Sequence, residues 1–168
     1  MLKLIARIRS IVLTVTGRLG WLPPTLARLC VGLVFFNSGW GKLHGLPDVI
    51  EYFRSLGIPA PEIQAPFAAG TEFVCGLLLL LGLFTRVATV PLMVTMIVAI
   101  LTAKKDELEG ISSLFTFIEY LYILLLVHLA VGGPGPLSLD RALVRFIPAG
   151  DREGVAPPAP GAPRVRTA

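Results

Sequence analysis

The pattern of this chain predicts an all-α fold: an integral membrane four-helix bundle, with a short amphipathic helix in one outer loop and interfacial helices at its two ends. Three observations lead there. Four apolar stretches are each long enough to cross a bilayer, the composition is too apolar for a soluble domain of this size, and basic residues gather on one side of the spans. The 168 residues are 54% hydrophobic and 15% charged, and the mean hydropathy is +0.76. One compact membrane domain, residues 23–148, follows, with a basic amphipathic segment before it (1–22) and a Pro/Ala-rich disordered tail after it (149–168).

The spans are read in order as residues 23–42, 66–84, 87–103 and 114–132. Each is about 17 to 20 residues, which at 1.5 Å per residue matches a hydrocarbon core of roughly 30 Å. Pro23 and Pro24 open the first, where a missing N–H does no harm, and Gly32, Gly39 and Gly41 let a neighbouring helix come close. The second holds the leucine run 77–81, and the third carries Pro91 near its start. Between the first two, residues 47–56 read as an amphipathic helix stopped by Gly57 and Pro59, with Val49, Phe53 and Leu56 on one face, placed to cap the outer mouth of the bundle.

In residues 2–19, Leu4, Ile5, Ile8, Ile11, Val12 and Val15 recur at helical spacing among Lys3, Arg7 and Arg9, which suits a helix lying on the membrane surface. A signal peptide is the rival reading, but the apolar run 11–16 is short and no small-x-small cleavage site follows. With both termini cytoplasmic, ten basic residues (Lys3, Arg7, Arg9, Arg18, Arg86, Arg141, Arg145, Arg152, Arg164 and Arg166) lie inside. Only Lys42, Arg54, Lys104 and Lys105 then lie outside, so the positive-inside rule favours a multi-pass protein of the inner (plasma) membrane in that orientation. The same distribution accounts for a net charge of +4 without nucleic acid; the partner implied is the lipid bilayer.

Charge inside a span costs a few kcal/mol or more, so it faces a partner or a water-filled cavity, and such positions are the candidate site. Glu72 and Glu119 fall at similar depth in the outer half, Asn37 reaches that level, and Lys42 is long enough to bend back toward either acid. Near the inner end Arg28 and His128 fall at matching depths, as a second polar cluster; anchoring to lipid phosphate is the other role open to Arg28. His128 has no second histidine near it and His44 belongs to the outer loop, so no metal site is expected. Cys30 and Cys75 lie in separate spans without CxxC spacing and read as buried packing residues. Ser138 follows a Gly/Pro turn and caps a short helix to about Ile147, with Asp140 in its first turn or paired with Arg28 or Arg86 at the inner rim.

These residues carry a family resemblance. Arg28, Gly32, Phe36, Gly39, Gly41 and Lys42 resemble the R-x3-G...G-x-K-L opening of the DoxX family of small four-helix membrane proteins. Glu72 to Gly76 followed by LLLLLGLFTR, ending at Arg86, is similar to its E-x3-G...GL-x-TR segment, and GPGPLSLD, ending at Asp140, resembles its G-x-x-S-x-D ending. The match covers about residues 25–145. It implies an inner-membrane protein of a family whose name-giving members are linked to quinone-dependent sulfur oxidation, with other relatives in redox or detoxification complexes. It does not settle whether this chain is an enzyme.

The sequence holds no CxxC, no paired axial histidines and no dinucleotide fingerprint, so any electron transfer needs a diffusible quinone or a redox enzyme partner, and no cofactor is held covalently. Three functions stand against one another. An accessory subunit in quinone-linked or sulfur and oxidative-stress redox processes would bind quinone or a small sulfur-containing substrate between its helices, with Glu72 and Glu119 handling protons and Arg28 holding an anionic or carbonyl group. A small proton-coupled permease would use the same acids as a path, with a homodimer supplying the internal repeat that one copy lacks. A scaffold recruiting a partner protein would survive neutralisation of both acids.

Overall fold

A computed structural model of the protein describes residues 7, 9, 13–14, 16–17, 19–108, 110–135 and 137–141. Among these, regular structure is helical, with no strand. In chain order the elements are α1 (Leu22–His44), α2 (Leu46–Ser55), α3 (Pro61–Leu81), α4 (Thr85–Ala103), a 3-10 turn (Lys105–Glu107), α5 (Ile111–Leu114) and α6 (Ile118–Gly132).

Two of these, α3 and α4, are both long and apolar enough to cross a membrane. Helix α1 has 23 residues, about 34 Å, but Arg28, Asn37 and Lys42 dilute its apolar run. The fourth predicted span, 114–132, is one helix only from Ile118: Leu114 ends α5, residues 115–117 form a turn with Phe117 extended at ψ 130°, and the 15-residue α6, about 22 Å long, makes up the rest. Local hydroxyl bonds explain the break: Ser113 Oγ donates to the Gly110 carbonyl (2.6 Å) and Thr116 Oγ1 to that of Ser113 (2.7 Å), which favours a turn over continued helix.

Helix α1 packs chiefly on α3, and α4 on α6. Glycines set the first contact. A Cβ on Gly39 would lie 2.7 Å from Phe73 Cα and one on Gly76 2.9 Å from Phe36 Cα, closer than packed atoms approach, so the α1–α3 seam depends on hydrogen at both positions. Val31, Phe35, Leu79, Leu92 and Leu126 join the two pairs into one core. Cys75 is buried as expected, but Cys30 is exposed: it is one residue away from Val31, which occupies the α1 stripe facing the core.

Of the predicted N-terminal interfacial helix, Arg7, Arg9, Leu13, Thr14, Thr16, Gly17 and Leu19 are described; they are helical and exposed. The remainder of that segment, the continuation of the Ser138 helix to Ile147 with Arg145, and the tail 149–168 lie outside the described residues.

Candidate functional site

The charged residues sort to two ends of the fold. At one end, Glu72 is 3% exposed on α3, and its two carboxylate oxygens have separate partners. Oε1 meets Lys42 Nζ at 2.5 Å and Oε2 accepts from Ser38 Oγ at 2.8 Å. Ser38 and Lys42 are one helical turn apart on α1, so both reach across to α3 from one face. Asn37, assigned to this cluster from its depth alone, is rotated about 100° from Ser38 and is exposed, so it takes no part.

Glu119 differs from Glu72. The break before α6 places it in the first turn of that helix rather than in mid-span, where a carboxylate is favoured by the helix dipole. The residue lines the same cavity as the Lys42–Glu72 pair, but its Oε2 is turned away from open space, buried without a hydrogen-bond partner among the described residues. That cavity has a volume of about 640 Å³, within the range of small-molecule sites.

Its walls are mainly apolar. Phe35, Met96 and Tyr122 line it too, and Val49 and Phe53 of α2 with Leu56 at that helix's C-cap contribute the face that the amphipathic pattern predicts. Val34, Phe67, Val94 and Val98 also line it and are exposed apolar side chains, contributed by α1, α3 and α4. The α2 roof is pinned at its corner by Arg54, which pairs with Glu51 and, at 2.7 Å, with Glu62 at the start of α3. A backbone N–H and then Arg54 hold the Glu62 carboxyl below its usual range, while its two carboxylate partners raise Arg54.

At the other end, Arg28 does not reach toward lipid. It is 3% exposed, and its Nη2 donates to the Leu137 carbonyl at 2.6 Å, while Nε and Nη1 have no partner among the described residues. The guanidinium lies against Gly82, which ends α3 at φ +68°; a side chain there would collide with it. His128 is on the exposed face of α6, and the inner pairing expected from depth does not form.

Asp140 makes no hydrogen bond or close ion pair with either arginine, although its charge acts on Arg28. Its carboxylate accepts from the backbone N–H groups of Phe84 (2.8 Å) and Thr85 (3.3 Å), capping α4 from a distant segment, and its own N–H donates to the Gly82 carbonyl at 3.0 Å. Phe84 takes a left-handed φ of +48°, a conformation that costs a bulky residue of order 1 kcal/mol and that this cap offsets. Ser138 Oγ accepts from the Arg141 N–H at 3.3 Å, which is the predicted cap. Arg86 makes one long contact, 3.5 Å, to the Val131 carbonyl. No group of three or more His, Cys, Asp or Glu side chains is arranged to hold a metal among the described residues.

With this geometry in view, the comparisons with known proteins become specific. The DoxX family model matches residues 24–105, which takes in α1 to α4 with Arg28, Lys42, Glu72 and Gly82. A membrane protein of Mycobacterium tuberculosis named "Uncharacterized membrane protein Rv3486" is 38% identical over 135 residues, covering 72% of this chain and 82% of that one. The chain belongs to the DoxX family. The Bacillus subtilis protein named "Putative oxidoreductase CatD" is 35% identical over 116 residues, 68% of this chain and 82% of its own, and the Escherichia coli inner membrane protein YphA is 31% identical over 121 residues, 69% and 86%. No solved structure matches significantly. Glu119 and the Ser138–Asp140 segment lie beyond the DoxX match, so each polar cluster draws on residues both inside and outside the matched region.

Proposed function

We propose that this DoxX membrane protein crosses the inner membrane several times with both ends cytoplasmic and holds a lipid-soluble quinone in the cavity beside Glu72 and Glu119, as an accessory subunit of a membrane oxidoreductase. The observation that carries the reading is the cavity itself. It is apolar, large enough for a quinone ring and part of its tail, lined in part by exposed apolar side chains, and bordered by a buried ion pair and a second carboxylate. A bound quinone supplies a carrier for two electrons and two protons. The chain supplies the pocket, the fixed charge of the Lys42–Glu72 pair, and Glu119 as a group within reach of the ligand's oxygen atoms for proton exchange. The relative named as an oxidoreductase is consistent with that role, and a partner protein or the membrane pool is the source of electrons.

Extraction tests it. The full chain purified in mild detergent retains quinone, and Glu72→Gln with Glu119→Gln lowers quinone-linked turnover in membranes while circular dichroism is unchanged. A wild-type protein that carries no quinone, together with unchanged turnover in the double variant, overturns the redox reading in favour of a scaffold. For topology, cysteines introduced singly at Ser55 and Gly110 react with a membrane-impermeant thiol reagent in intact cells, and one at Thr167 does not; the reverse pattern inverts the orientation.

A further inference from the structure

A guest enters and leaves a cavity of this kind when part of its wall moves, and the walls here are anchored unequally. Helices α1 and α3 meet backbone to backbone at Gly39 and Gly76, and Phe35, Leu79, Leu92 and Leu126 tie that pair to α4 and α6. Parting those helices would open the shared core. Helix α2 is different: none of its ten residues is buried, and Val49 and Phe53, which line the cavity, are only half-buried. It joins α1 through the single residue Gly45 and returns toward α3 through a turn at Gly57, whose φ of +71° suits glycine. Among the described residues one ion pair ties α2 to another element, Arg54 with Glu62 at 2.7 Å. Both side chains are more than half exposed, so the pair is weak and open to screening by salt.

From this we infer that α2 is the gate of the cavity, a strap that turns on Gly45 and Gly57 and is held shut by the Arg54–Glu62 pair; the inference rests on the carrier reading above and adds how the ligand comes and goes. Turning the strap carries Val49 and Phe53 away from the cavity without disturbing the core beneath. The pair closes the gate whether or not a guest is inside, so weakening it favours the open state in both cases. Entry and release then accelerate together, and affinity stays the same. A side chain that touched the ligand would change affinity instead.

Stopped-flow quenching of tryptophan fluorescence by decyl-ubiquinone, with the full chain in detergent, measures both rate constants. Arg54→Met and Glu62→Gln each raise association and dissociation by about threefold to fivefold, the order of one exposed pair, and keep Kd within about twofold. The double variant is no faster than either single one, because the same contact is lost. High salt speeds exchange in the wild type and not in the variants. A reversible lock acts in the opposite direction. With Cys30→Ala removing the exposed thiol, Arg54→Cys and Glu62→Cys joined by a bifunctional methanethiosulfonate slow both rates by about tenfold or more, and exchange returns once the link is reduced and the reductant removed. Rates that neither the variants nor the lock alter overturn the gate and leave the carrier reading standing. Faster release with unchanged association makes Arg54 a ligand contact and overturns the gate as well, whereas a wild type that binds no decyl-ubiquinone overturns both.

Discussion

At the Arg28 end of the molecule buried charge is directed at the backbone, whereas at the Glu72 end it lines a cavity. Arg28 bonds a loop carbonyl and Asp140 caps the first N–H groups of α4, so both side chains close turns that would otherwise be strained or loose. The Lys42–Glu72 pair and Glu119 border about 640 Å³ of mostly apolar space. Polar residues in an apolar bundle thus serve two purposes. Which one applies is decided by whether their partners are fixed elements of the chain.

The largest effect is expected where the latch is tightest. Gly82→Val adds a branched side chain at φ +68° and into the Arg28 guanidinium. Strain and overpacking together predict a loss of roughly 3 kcal/mol or more, and hence little folded protein. Thermal unfolding in detergent measures it, and a variant of normal stability would show that the turn is not a fixed point. Asp140→Ala removes a cap that two N–H groups share and should cost about 1 to 2 kcal/mol, with Asn restoring part of it. If Asp140→Ala instead changes ligand affinity and leaves stability intact, the division between the two ends is wrong.

How far these ends were legible follows from the helical period. Arg28, Gly32, Phe35 and Gly39 form one buried stripe on α1, and that spacing already argues against Arg28 reaching lipid. Counting back one turn from Lys42 leads to Ser38 rather than Asn37, because azimuth and not depth decides which residue faces α3. On α6 the line from Glu119 through Tyr122 and Leu126 to Leu129 faces inward, and His128 is off it. The helix starts and the amphipathic roof were readable because they depend on local composition. The start of the last span at Ile118 rather than at 114 was not, because Ser113 and Thr116 at the head of a hydrophobic run turn some chains out of helix and leave others in it. Nor was the Asp140 cap on α4, which joins residues 56 positions apart.

At the cavity end the ion pair should couple measurably. Lys42 is one-third exposed and Glu72 is buried, so Lys42→Met strands a carboxylate and should cost about 1 to 3 kcal/mol. Adding Glu72→Gln should recover much of that loss, giving a non-additive double-mutant cycle. Strict additivity would mean that the two groups are solvated independently. A smaller, pH-linked effect is expected at the roof. Because the Glu62 carboxyl is held below its ordinary value, its contribution is present above that value and is lost as pH falls through the lowered one. Hydrogen exchange in α2 should accelerate over that acid range, and Glu62→Gln should abolish the change.

The smallest effect on folding is predicted for the residue with the most to do with a ligand. Glu119 Oε2 accepts no hydrogen bond among the described residues, so Glu119→Met removes a desolvated acceptor at the cost only of a charge interaction with Lys104. Its position in the first turn of α6 brings a helix-dipole benefit of perhaps a few tenths of a kcal/mol, which the substitution forfeits, and the relief of desolvation opposes that loss. Ligand-free stability should therefore change by less than about 1 kcal/mol in either direction, in contrast to Lys42→Met. Thermal unfolding of the two variants side by side, after exhaustive delipidation, provides the measurement. A loss at Glu119 as large as that at Lys42 would mean that its carboxylate holds the helices together, and the contrast between a latch and a ligand-facing acid would then fail at the residue on which it most depends.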